Sequence, residues 1–150
     1  MGSAIVDSSC LIVLNRLGKL DLLKQIFETI LYPPAVQSEV NFETEWISIQ
    51  VPSPLEVSSL LEFKIDPGET EVIALALSNR DAVVILDDKK ARNFALELGL
   101  LVTGTLGLLL KAKQKSLISA VKPLLDSLKE IDFYMNDFLY QDILRRAGEE

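Results

Sequence analysis

The sequence predicts an α/β fold built on a mostly parallel sheet of four to five strands. Three observations carry this. Short apolar, β-branched runs alternate with helical patterns from Ala4 to Thr105. The run Asp81-Ala82-Val83-Val84-Ile85-Leu86 is apolar after its first residue, as in a parallel strand covered on both faces. Two such runs end on carboxylates, Asp7 and Asp87-Asp88. Right-handed crossovers bring the C-terminal ends of parallel strands to one edge, where open sheets keep their ligand crevice.

The elements follow in order. Ile5-Val6 is a buried strand. Ser8 or Ser9 caps the next helix, whose apolar positions are Leu11, Ile12, Leu14 and Leu17. Gly18-Lys19 breaks it, and Leu20–Phe27 returns to helical spacing. Thr29-Ile30-Leu31-Tyr32 reads as a strand closed by Pro33-Pro34, and Pro34 starts a helix over Ala35–Val40. Trp46–Val51 alternates as a half-exposed strand, then Leu55–Phe63 is an amphipathic helix. Asp66 caps a further helix, with Pro67 in its first position and Glu69 three residues on, as in a capping box. That helix is apolar on nearly all sides, which predicts burial. After strand Val83–Leu86 come helix Lys89–Leu98, stopped by Gly99, strand Leu100–Thr103 and helix Leu106–Lys115. Ser116–Lys129 and Asn136–Arg146 read as two final helices.

Composition narrows the chemistry. The 150 residues suit one domain, 1–150, and 49% hydrophobic content supplies a core. The net charge of −7 argues against a broad basic face but leaves room for a basic rim around an acidic centre. The chain has no histidine, which removes Ser-His-Asp and Cys-His catalysis and histidine-rich zinc sites. The single Cys10 reads as core filler in a reducing compartment. Neither a signal peptide nor a membrane span is visible, and a soluble cytoplasmic protein is expected.

Acids gather at one sheet edge instead. Asp7 ends the first strand, Asp87 and Asp88 end Val83–Leu86, Glu69 and Glu71 open the buried helix, and Glu39 follows the second strand. Convergent carboxylates raise each other's pKa, and a divalent cation relieves that repulsion. With oxygen donors alone the ion expected is Mg²⁺ or Mn²⁺. No phosphate-cradling glycine loop is present, which favours metal-dependent phosphodiester hydrolysis over nucleotide binding. A receiver domain would need a lysine ending its last strand, and a haloacid-dehalogenase-like phosphatase a second aspartate where Ser9 stands.

Four segments, in order, resemble a PIN domain: Ile5-Val6-Asp7-Ser8-Ser9; Tyr32–Val40; Asp66–Ala76, with its Pro67-Gly68-Glu69; and Val84–Arg92, with Asp87-Asp88-Lys89-Lys90. The tail Val102-Thr103-Gly104-Thr105-Leu106-Gly107 is similar to a prokaryotic branch of that superfamily. The resemblance implies a three-layer α/β/α fold with added C-terminal helices. It implies a metal-dependent ribonuclease, such as the toxin of a type II toxin–antitoxin pair. It assigns Asp7, Glu39, Glu69 and Asp88 to metal binding and catalysis, with Glu71 and Asp87 as rival ligands. Ser8, Ser9, Lys89, Lys90 and Arg92 fall beside the RNA substrate. An antitoxin protein and a homodimer are the partners implied. The alternative is a catalytically weak PIN-like scaffold that binds protein or nucleic acid. The aromatic group Phe133, Tyr134, Phe138, Leu139 and Tyr140 is either helix packing or a contact surface.

Overall fold

A computed structural model describes residues 2–150. Five strands form one all-parallel sheet in the order β3-β2-β1-β4-β5. They are β1 (Ser3–Val6), β2 (Thr29–Tyr32), β3 (Ile47–Ile49), β4 (Val83–Ile85) and β5 (Leu101–Thr103). The register pairs Ile5 with Leu31 on one side and with Val84 on the other. β1 is therefore central. The chain steps from it to β2 and β3 on one side, then crosses back to β4 and β5. Such a reversal is where open α/β sheets place a ligand site, here at the C-terminal ends of β1 and β4.

The helices cover both faces. They are α1 (Ser8–Arg16), α2 (Leu22–Ile26), α3 (Pro34–Glu39), α4 (Pro54–Leu60), α5 (Pro67–Leu77), α6 (Lys89–Glu97), α7 (Thr105–Gln114), α8 (Lys122–Glu130) and α9 (Asp137–Arg146). α5 packs on β1 and β4, with α3 and α4 leaning against it, while α7 packs on β5 and touches α2 and α9. Val72, Ile73, Ala74, Leu75 and Ala76 are fully buried, as expected of a helix apolar all round. Ile5, Val84 and Ile85 fill the sheet between the layers.

Three local expectations change. Asp7, not a serine, occupies the N-cap of α1, because β1 ends at Val6 and Ser8 already opens the helix. The predicted helix from Ser116 starts only at Lys122. Ser116 adopts φ 59°, in the left-handed region, which ends α7's chain direction and leaves a turn. Leu61–Phe63 is a 3₁₀ turn closing α4. The C-terminal tail then locks onto α8. Glu149 accepts from the Val121 and Lys122 N–H groups and pairs with Lys113 at 2.8 Å. No helix among the described residues is long and apolar enough to cross a membrane.

Candidate metal centre at the sheet edge

Asp7 sits where the sheet ends and α1 begins. Its N–H still donates to Ile85 O at 3.1 Å, so the strand ladder fixes its backbone. Its side chain makes no capping bond. The residue is 3% exposed. Oδ1 is buried without a hydrogen-bond partner, a condition shared among the described residues only by Thr44 Oγ1. Such an orphaned acceptor is costly unless something binds it. Burial pushes the Asp7 carboxyl up to about 7; the Ser8 N–H opposes this, and the charges of Asp66, Glu39 and Asp87 add to it.

Around Asp7 stand acids from three other elements. Glu39, at the end of α3, is raised by desolvation and by Asp66, lowered by the Ser8 hydroxyl and raised again by Glu71. Its carboxylate lies over Gly68, where a Cβ would overlap Oε1. Glu69 is 7% exposed. Burial and then Asp66, Asp88 and Asp7 push it up to about 7, against the Asp66 N–H. Its position comes from the predicted capping box: Glu69 N–H donates to Asp66 Oδ1 at 2.7 Å, and Asp66 N–H to Glu69 Oε1 at 3.3 Å. Asp88 caps α6, its Oδ2 accepting from Ala91 N–H at 2.9 Å.

The two rival acids are engaged elsewhere. Glu71 Oε1 accepts the Ala35 N–H at 3.1 Å and so ties α5 to the first turn of α3. Asp87 holds Thr105 with both oxygens, the N–H at 2.7 Å and the hydroxyl at 2.6 Å. Sequence reasoning overlooked Asp66, which it treated only as a cap. Asp66 acts on Asp7, Glu39 and Glu69 alike. No local signal marks this, because a capping carboxylate reads the same whatever its helix head faces.

The hydroxyls and cations divide similarly. Ser8 is buried beside Asp7 and Glu39, whereas Ser9 is exposed. Lys90 Nζ donates to the Lys64 carbonyl at 3.3 Å. Lys89 is exposed, and half-buried Arg92 lies next to Gly104. Lys113 is paired with Glu149. The aromatic group splits: Tyr140 is buried and donates to Asp126 at 2.7 Å, while Tyr134 and Phe138 are exposed.

The donor set fits a hard divalent cation in kind, being carboxylate oxygen throughout with one buried oxygen left unpartnered. As the side chains stand, no group of three or more among the described residues is drawn together closely enough to hold a metal ion. Asp88 and Glu69 each commit one oxygen to a cap. A family model described as a PIN domain matches residues 3–149. A search of curated proteins gave no match.

Proposed function

The chain belongs to the PIN-domain family, a family generally of nucleases, and from that membership we propose that it hydrolyses RNA phosphodiesters with Mg²⁺ or Mn²⁺. The observation that carries this reading is the buried, unpartnered Asp7 Oδ1 at the crevice of the central strand. A charge-dense cation bound there would favour the ionised form of a carboxyl that burial raises to about 7.

Asp7, Glu39, Glu69 and Asp88 would hold the ion. When bound it supplies a polarised phosphoryl oxygen and a more acidic water. The protein's own groups have separate tasks. Asp7 anchors the site through the β1 ladder. The capping box sets the angle at which Glu69 leaves α5. Gly68 leaves space for Glu39. The Ser8 hydroxyl beside Glu39 favours its ionised form. Lys89 and Arg92 supply positive charge beside the acids for the phosphate backbone.

The test is cleavage of labelled RNA and DNA with Mn²⁺, Mg²⁺ or EDTA by the wild type and by Asp7→Asn. Cutting of RNA that needs metal and vanishes in the variant supports the proposal. Equal background in both proteins sinks it. The scaffold reading draws on the engagement of Glu71 and Asp87 in structural bonds. Metal-independent RNA binding without any cleavage is the outcome that favours it.

A further inference from the structure

Beside the acidic edge, β5, α7 and α9 enclose a groove of about 290 Å³. This is near the lower end of the ~300–1,000 Å³ typical of small-molecule pockets. Its walls are of two kinds. Leu106, Leu110, Leu139 and Ile143 are apolar, and Arg92 and Arg146 are cationic. We propose that this groove seats one nucleotide of a single-stranded RNA next to the cleaved phosphodiester, its phosphate on Arg92 and Arg146 and its base against the leucine wall. The inference rests on the nuclease reading and adds to it the direction in which the strand leaves the metal centre.

Arg92 carries the argument. The residue is half-buried and lines the groove, and among the described residues it forms no ion pair with a carboxylate. A half-buried guanidinium without a direct ion-pair partner keeps donors available for a ligand in the groove. Gly104 joins this groove to the acidic edge. A Cβ at Gly104 would stand 2.8 Å from Asp87 Oδ1 and 3.0 Å from Arg92 Nη1. Asp87 and Arg92 thus face each other across a gap that glycine leaves open.

Asp142 also lines the groove and would repel a phosphate if free. It is neutralised by Arg145 and by Arg146, whose Nε lies 3.1 Å from Asp142 Oδ2. The same pairing fixes Arg146 and leaves its outer nitrogens for a ligand. The opposite flank is a weaker candidate. Along α6, Asp88, Lys89 and Phe94 border a concave surface, but Lys90 there is already spent on the Lys64 carbonyl.

The test uses the full chain carrying Asp7→Asn, so that RNA is bound without being cut. A fluorescein-labelled single-stranded RNA octamer is titrated at several salt concentrations. Adding Arg92→Gln is expected to weaken binding about tenfold, the scale of one charge-assisted contact. It should also flatten the slope of log K against log salt by about 0.7, one phosphate on a single strand. Adding Leu139→Trp, which fills the groove, weakens binding comparably and leaves the slope unchanged. Parental affinity in both variants overturns the inference. So does dimer dissociation by Leu139→Trp with RNA affinity intact, which would put a second chain in the groove. In the wild-type background, metal-dependent cleavage with unaltered KM in both variants removes the groove and keeps the nuclease. Groove-dependent binding with no cleavage by wild type removes the nuclease and keeps the groove.

Discussion

Asp87 grips Thr105 through both carboxylate oxygens, 2.7 Å to the N–H and 2.6 Å to the hydroxyl. Thr105 is fully buried at the head of α7. This bond pair stitches β4 to α7 across the end of β5. Thr105→Val is expected to cost about 1–3 kcal/mol, because it strands an acceptor that has lost its hydroxyl partner. Asp87→Asn can keep both bonds, accepting with its oxygen and donating with its amide, and should stay within about 1 kcal/mol of wild type. Urea denaturation checks both. If Asp87→Asn also abolishes Mn²⁺ binding at unchanged stability, the residue is a metal ligand as well as a staple.

The burial of Asp7 makes stability depend on pH. The folded carboxyl keeps its proton up to about 7, against a model-compound value of 3.8. Between those values the folded state binds more protons than the unfolded state, so stability falls as pH rises. Glu69 shifts in the same direction and adds to the decline. Chemical denaturation in EDTA should show a loss of up to about 4 kcal/mol from Asp7 between pH 4 and pH 7. Asp7→Asn removes that share of the slope. Mn²⁺ added at pH 8 should restore stability in wild type and not in the variant. A flat pH profile would show that Asp7 is solvated.

Gly68 separates stability from metal affinity. Alanine there gains up to about 1 kcal/mol of helix propensity in the first turn of α5. The same Cβ collides with Glu39 Oε1 and turns that carboxylate away. Gly68→Ala should therefore keep or raise Tm while weakening Mn²⁺ binding about tenfold or more, read by calorimetry. Unchanged affinity would place Glu39 outside the metal's reach.

Glu69 and Glu71 have distinguishable parts. Glu71→Gln can still accept the Ala35 N–H, so fold and metal affinity should both persist. Glu71→Ala should cost about 1 kcal/mol, as loss of a helix-start acceptor does. Glu69→Gln keeps a capping-box acceptor but loses the charge near Asp7 and Asp88, and Mn²⁺ affinity should drop. The reverse pattern would move the third ligand to Glu71.

How much of this was legible in the chain depends on the range of each interaction. The capping box of Asp66 and Glu69 was readable because its two partners lie three residues apart and need only helical geometry. The strand ends at Asp7 and Asp87 were readable because an apolar run stops at a charge. The Asp66 influence on three other acids was not, since a cap looks the same whatever it faces. The start of α8 was missed because Lys122–Glu130 is amphipathic and its pattern runs back into the turn before it.

The sequence by itself determined the parallel α/β arrangement and that Asp7 and Asp87 follow its strands, because alternation of strand and helix leaves those ends one place to go. It also determined that any metal there is bound by oxygen. Only the tertiary structure decided which acids were already occupied. Glu71 meets Ala35 from 36 positions away, and Asp87 meets Thr105 from 18. Such partners are set by how helices lean on the sheet, and no local pattern encodes that. The same packing left Asp7 Oδ1 buried without a partner, the observation on which the proposed cation site rests.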